Sequence, residues 1–128
     1  KSAEVISGKV FIGHVGGDDF VMISDSRNDQ TLAEKIIDYF DLGIKNYFNK
    51  EDLSNGHFIC LDRQHNIINT PLTSISIAIV TNENNEIKSH IEVSDQAAEL
   101  KKIVKEKPGS NYFKNRRKKE DNEEYKSC

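Results

Sequence analysis

The chain has 128 residues and a formal net charge of −3; 36% of its residues are hydrophobic and 30% are charged. A chain of this length can bury one hydrophobic core, and its acidic balance argues against nucleic-acid binding through the whole surface. The sequence has no apolar run of about 18 residues and no signal-type leader, which predicts a cytoplasmic protein without a membrane span.

The first predicted elements are a hairpin and a helix. Two apolar, strand-like runs, residues 9–15 and 20–24, flank a turn that contains two glycines. The capping-box pattern Thr31–Glu34 then begins a helix with one apolar face, and we expect this helix to end at Gly43. The apolar face predicts that the helix packs on a sheet.

The middle of the chain predicts irregular structure, a second hairpin and a long strand. We expect residues 44–56 to be irregular and the runs at 57–62 and 67–70 to form the hairpin. Residues 72–80 are the clearest strand, because isoleucines alternate there with serine and alanine. Cys60, inside the second hairpin, is expected to be a small core residue.

The last predicted elements are a helix, a short strand and a charged tail. Apolar residues recur at helical spacing over Val93–Val104, and Pro108 stops the helix. We assign residues 1–113 to one domain and residues 114–128 to a flexible tail of mixed charge. The pattern predicts an α+β fold, with helices packed on a central, mainly antiparallel sheet.

The glycine turn, Gly16-Gly17-Asp18-Asp19, is the strongest candidate for a functional site. Adjacent glycines accept positive φ and lack a Cβ, so a phosphate can approach their N–H groups. Adjacent aspartates offer hard oxygen ligands to Mg²⁺ or Mn²⁺, which completes its coordination with water and phosphate oxygens. The turn is therefore either a metal and phosphate site or an ordinary hairpin turn with solvated carboxylates.

Other catalytic patterns are missing from the sequence. The four histidines show no zinc-ligand spacing, and the sequence has neither a Gly-x-Ser-x-Gly elbow nor a Walker-type loop. These absences disfavour zinc enzymes, serine hydrolases and P-loop nucleotidases.

Residues 13–20, Gly-His-Val-Gly-Gly-Asp-Asp-Phe, resemble the signature hairpin of the GGDEF family, the diguanylate cyclase domains of bacterial cyclic-di-GMP signalling. Pro71–Val80 resembles the core strand of that family, Ser94–Lys105 its last helix, and Pro108–Tyr112 its Gly-x-Asn exit. The resemblance runs from about residue 8 to residue 117 and is greatest to GGDEF domains that accompany CBS or EAL modules.

The resemblance implies a nucleotide-cyclase, ferredoxin-like arrangement of the sheet and helices. The first strand of the family has no counterpart in this sequence, so we expect an N-terminally incomplete fold. A sheet that lacks one strand exposes an edge or an apolar patch, which dimerisation or strand exchange would cover.

The resemblance also implies an active site. In the family, two GTP molecules on two facing domains are joined when a ribose 3′-hydroxyl attacks an α-phosphorus, with divalent metals spreading the developing charge. Asp18 and Asp19 match catalytic positions, and Asp19 also matches a metal ligand. The nucleotide-binding residues that the resemblance implies are Gly16, Gly17, Lys102 and Lys105.

Several positions depart from the pattern of the family. Asp19 stands where the family has glutamate, which shortens the reach of the carboxylate by about 1.5 Å, and misplacement on that scale can cost on the order of a hundredfold in rate. His14 and Ser110 stand where the family has arginines, and residues 7–10 lack the Arg-x-x-Asp motif of product inhibition. These departures predict weaker phosphate binding and no feedback control.

Three functions remain open from the sequence. The first is a degenerate GGDEF domain that binds GTP weakly or acts as a regulatory module beside CBS- or EAL-type domains. The second is an active diguanylate cyclase whose missing N-terminal segment is supplied from outside this sequence. The third is an interaction or dimerisation module that binds no nucleotide.

Overall fold

The computed structural model describes residues 9–84 and 86–115. Three helices and two antiparallel hairpins lie within these residues, which is compatible with the predicted α+β class. In chain order the elements are β1 (Phe11–Gly16), β2 (Asp19–Ile23), α1 (Asp29–Ile44), α2 (Lys50–Asn55), β3 (His57–Leu61), β4 (Ile67–Pro71), β5 (Ser76–Ile79), α3 (His90–Glu106) and β6 (Asn111–Lys114).

The strands pair in twos rather than in the single central sheet that the sequence predicts. Strands β1 and β2 form an antiparallel hairpin, and β3 and β4 form a second one. Strands β5 and β6 are parallel, because α3 lies between them in the chain and returns it to the same end of the pair. Within the described residues, the hairpins and the parallel pair are separate sheets.

Both hairpins and both long helices are confirmed, but four details differ from the prediction. Helix α1 begins at Asp29 with Asn28 as its N-cap, so the predicted capping box at Thr31 lies inside the helix. The segment 44–56 contains α2, because the side chain of Asn49 caps this helix by accepting a hydrogen bond from the N–H of Asp52. Only residues 76–79 of the predicted strand 72–80 pair as a strand. Cys60 is exposed, so its assignment to the core is wrong, since β3 and β4 leave much of their surface uncovered.

The core lies where α1 and α3 pack around the β5–β6 pair. Its buried hydrophobic residues are Leu32 and Ala33 of α1 and Leu100 and Val104 of α3. Strand β6 contacts both long helices, whereas β5 packs mainly on α3. The parallel pair therefore has the helical cover that such sheets require.

Alternate side chains of the β6 segment are directed to α1. Successive residues of a strand point to opposite faces, so residues 110, 112 and 114 share one face. Each makes a polar contact with a different turn of α1. The pairs are Ser110 Oγ with Asp41 Oδ1 at 2.5 Å, Tyr112 Oη with Glu34 Oε1 at 3.0 Å, and Lys114 Nζ with Asp29 Oδ2 at 2.6 Å.

The intervening side chains of β6 are directed to α3 and to the loop before it. The amide of Asn115 donates to Gln96 Oε1 on α3 at 2.9 Å, and its carbonyl accepts from the N–H of buried Thr81. The ring of Phe113 lies 5.1 Å from Lys107 Nζ, at the end of α3. Strand β6 is therefore held between the two long helices.

Lys114 joins three parts of the fold. Its ammonium contacts Asp29 at the start of α1 and, at 3.0 Å, the carboxylate of Glu83 in the loop after β5. The contact with Asp29 is the main cause that raises the pKa of Lys114 above its ordinary value. This lysine is the last residue of β6 and lies one residue past the predicted domain boundary. Residues 116–128 of that segment lie outside the described residues.

We predict that Lys114→Met lowers the free energy of unfolding by roughly 2 kcal/mol at pH 7, because it leaves two carboxylates without their cation. A lysine with a raised pKa stabilises the fold at pH values below its ordinary pKa of 10.5 and loses this effect as the pH rises through the raised value. The difference between the two proteins should therefore shrink above that pH. Urea unfolding followed by circular dichroism measures it.

Lys102→Met is the matched control, since it removes an equal charge from an exposed position on α3. We expect this variant to unfold like the unchanged protein across the same pH range. An equal loss of stability in both variants would show that net charge, and not the Lys114 contacts, stabilises the fold.

Candidate functional site

The glycine turn joins β1 to β2 and is open to solvent. Gly16 has φ +155° and Gly17 has φ +57°, values that residues with a Cβ rarely adopt. The strand register shifts between His14 and Gly16, so the turn begins with an irregularity. A Cβ at either glycine would meet nothing within 4 Å, which leaves space for a ligand to approach the backbone.

His14 holds the turn in shape. Its Nε2 donates a hydrogen bond to the carbonyl oxygen of Gly17 at 2.9 Å, because a carbonyl can only accept. Its ring stacks on Phe20 across the strand pair, with 4.7 Å between ring centroids. His14 thus makes both of these contacts within the hairpin.

Asp18 and Asp19 are both exposed, and the second one contacts α3. Asp19 Oδ1 accepts a hydrogen bond from Lys101 Nζ at 2.8 Å, across 82 residues of sequence. This hydrogen bond lowers the pKa of Asp19, and the charges of Lys101 and, to a smaller degree, Lys105 lower it further. The turn and α3 therefore form one charged site.

The helical geometry of α3 explains why Lys101, and not Lys102, contacts the turn. Residues on a helix are rotated by about 100° from one to the next. Leu100 and Val104 form the buried stripe of α3. Lys101 and Lys105 each follow one of these residues in the chain, so they lie beside the stripe, and their spacing of four residues places them on one face of the helix. Lys102 lies two steps from Leu100, on the exposed side. The resemblance implied Lys102 and Lys105 but not Lys101, although the spacing of the buried stripe on α3 indicates Lys101.

The ion pair between Asp19 and Lys101 is only partly shielded from water. The side chain of Asp19 is 56% exposed and that of Lys101 is 38% exposed. Ion pairs of this exposure add little to stability, so competing charges can open them easily. A metal ion can compete for the carboxylate, and a phosphate can compete for the ammonium.

Ser110 has a role within the fold. Its hydroxyl donates to Asp41 of α1 and accepts from the backbone N–H of Ile75. These contacts occupy both functions of the hydroxyl group.

The turn carries two exposed carboxylates, those of Asp18 and Asp19, as candidate ligands for a divalent cation. Within residues 9–84 and 86–115, no group of three or more acidic, histidine or cysteine side chains is placed to hold a metal. Magnesium is commonly bound by one or two carboxylates together with substrate phosphates and water. Asp18 and Asp19 satisfy that requirement only when a nucleotide supplies further oxygens.

Comparisons with protein-family models, curated proteins and solved structures gave no match. Among the described residues, no helix is long and apolar enough to cross a membrane. The assignment of the site therefore depends on its geometry and on the resemblance of its motif.

We predict that Lys101→Met raises the pKa of Asp19 toward that of an unpaired aspartate, because the variant removes the hydrogen bond and the nearest positive charge. Titration of the Asp19 carboxyl carbon by NMR measures this pKa. Lys102→Met is the matched control and should leave it unchanged. Equal shifts in the two variants would mean that Asp19 senses the net charge of the protein and has no specific contact with Lys101.

Proposed function

We propose that this chain is a GGDEF-type domain that binds GTP at the glycine turn and serves as a regulatory module of cyclic-di-GMP signalling. The contact between Asp19 and Lys101 is the observation that carries the proposal. It brings the turn and α3, the two segments to which the resemblance assigns metal and phosphate binding, into one site. We also propose that the sheet and helices of the domain have the nucleotide-cyclase, ferredoxin-like arrangement.

The phosphates of the nucleotide would lie between the turn and α3. Gly16 and Gly17 adopt positive φ and carry no Cβ, so nothing obstructs the approach of a phosphate to the backbone of the turn. Lys101 and Lys105 supply two positive charges on one helical face. The two lysines match the negative charge of a triphosphate, and the glycine turn leaves space for it.

Lys101 occupies one oxygen, Oδ1, of the Asp19 carboxylate and so competes with Mg²⁺ or Mn²⁺ for this side chain. Once phosphate oxygens attract Lys101, the carboxylate of Asp19 is free to bind the cation, with Asp18 beside it. The nucleotide and the metal would therefore bind together more tightly than either binds alone. Such coupled binding suits a regulatory domain, because binding of the metal then depends on the presence of the nucleotide.

Binding is proposed ahead of catalysis because the acidic side chain at the catalytic position is short and already paired with a lysine. The alternative, an active diguanylate cyclase, has a direct assay. Incubation with GTP and Mg²⁺ or Mn²⁺ would give cyclic-di-GMP, and Asp19→Ala would abolish that product. This outcome would replace the regulatory proposal with the enzyme.

We predict that calorimetric titration detects GTP binding in the presence of Mg²⁺ and that Lys105→Met weakens it roughly tenfold, the cost of one charged hydrogen bond. Asp19→Asn should remove the effect of Mg²⁺ on the affinity, because it removes the negative charge that holds the cation. Lys102→Met, which changes the same charge on the exposed side of α3, should bind like the unchanged protein.

Two further outcomes decide between the functions that the sequence left open. Equal affinity for GTP and ATP would indicate a triphosphate site without the guanine preference of a GGDEF domain. No binding of GTP at millimolar concentration would contradict the proposal and favour an interaction module that binds no nucleotide.

A further inference from the structure

The β1–β2 hairpin exposes an unusual amount of apolar surface. Opposite residues of an antiparallel pair share a face, which places Phe11, Val21 and Ile23 on one face and Ile12 and Phe20 on the other. All five are exposed, with Phe11 at 61% and Phe20 at 68%. Apolar residues on both faces are typical of strands inside a larger sheet, not of a solvated hairpin.

The hairpin also has open edges. Within the described part of the chain, β1 pairs only with β2, so one side of each strand carries backbone groups without a sheet partner. An isolated two-stranded hairpin is marginally stable, and open apolar edges readily pair with another strand. The hairpin is attached to the rest of the fold by the partly exposed ion pair of Asp19 and Lys101. A further strand would both satisfy the edge and cover apolar surface.

We propose that the outer edge of β1 is a dimer interface, at which β1 pairs antiparallel with β1 of a second copy of this chain. A two-fold axis at Gly13 sets Phe11 of each copy against Val15 of the other. The product is a continuous four-stranded sheet made of two hairpins. This inference does not depend on nucleotide binding.

Charge favours β1 over β2 for this pairing. Residues 11–16 of β1 include no Asp, Glu, Lys or Arg, and pairing about Gly13 sets the one histidine, His14, opposite Ile12 of the second copy, so two antiparallel copies bring no like charges directly together. Strand β2 begins at Asp19, and Asp25 follows its end. Pairing β2 with itself around Val21 would set Asp19 diagonally across from Asp25 of the second copy, which is unfavourable.

The area available fits a weak, reversible dimer. A fully buried aromatic side chain covers about 150–250 Å². Pairing the edges and covering parts of Phe11, Ile12 and Val15 would bury on the order of 500 Å² per copy and about 1,000 Å² in total, near the lower limit for specific interfaces. We therefore expect the two copies to associate in a concentration-dependent way.

Sedimentation equilibrium of the full chain without nucleotide tests the proposal. The average mass should rise from 14.6 kDa toward twice that value as the protein concentration increases from about 1 μM to about 1 mM. Val15→Lys should keep the protein monomeric, because it places a charge at the interface from a position that is 70% exposed. Leu61→Lys, at a 62% exposed position of the other hairpin, should leave association unchanged.

Amide hydrogen exchange of the unchanged protein gives a second reading that needs no variant. The amides of β1 should become more protected at the higher concentration, while those of β4 should not change. A single-chain mass over the whole range would overturn the proposal. Dissociation by Leu61→Lys but not by Val15→Lys would overturn it too, because the contact would then lie on the other hairpin.

Discussion

The polar contacts between β6 and α1 are the constraint on which the rest of the fold depends. The buried hydrophobic residues that the structure describes are few, so packing alone specifies little of the arrangement. Ser110, Tyr112 and Lys114 bond to three positions along α1 and so define how the strand crosses the helix. Because β6 pairs with β5 and α3 connects the two, fixing β6 also fixes α3. The lysines of α3 take their positions from that chain of contacts.

The candidate site differs from this scaffold in how strongly it is held. Lys114 is largely shielded from water, whereas the pair of Asp19 and Lys101 is open to it. Charges in the first setting are costly to separate, and charges in the second separate easily. A rigid helix therefore presents its lysines to a loosely attached hairpin. This combination suits a site in which ligand binding replaces an internal contact.

The sequence predicted the elements better than it predicted their neighbours. Helical spacing identified α1 and α3, and strand patterns identified both hairpins, because these signals are local. The N-cap of α2 by Asn49 is a local signal too, but it lies in a segment rich in polar residues, and that composition favoured the prediction of irregular structure. Whether Lys101 or Lys102 meets the turn depends on which stripe of α3 is buried, and Ser110 acquires its partners only when β6 lies beside α1. The buried stripe of α3 is visible in the spacing of its apolar residues, whereas the partners of Ser110 lie in distant segments and no single motif encodes them.

The central claim is that the glycine turn and α3 bind one nucleotide between them. Backbone amide shifts of the protein, recorded by NMR while GTP and Mg²⁺ are added, test it most directly. The largest changes should occur at residues 16–19 and at Lys101 and Lys105, two groups that are far apart in sequence. Changes confined to one of these groups, changes centred on the β3–β4 hairpin, or no change at all would contradict the claim.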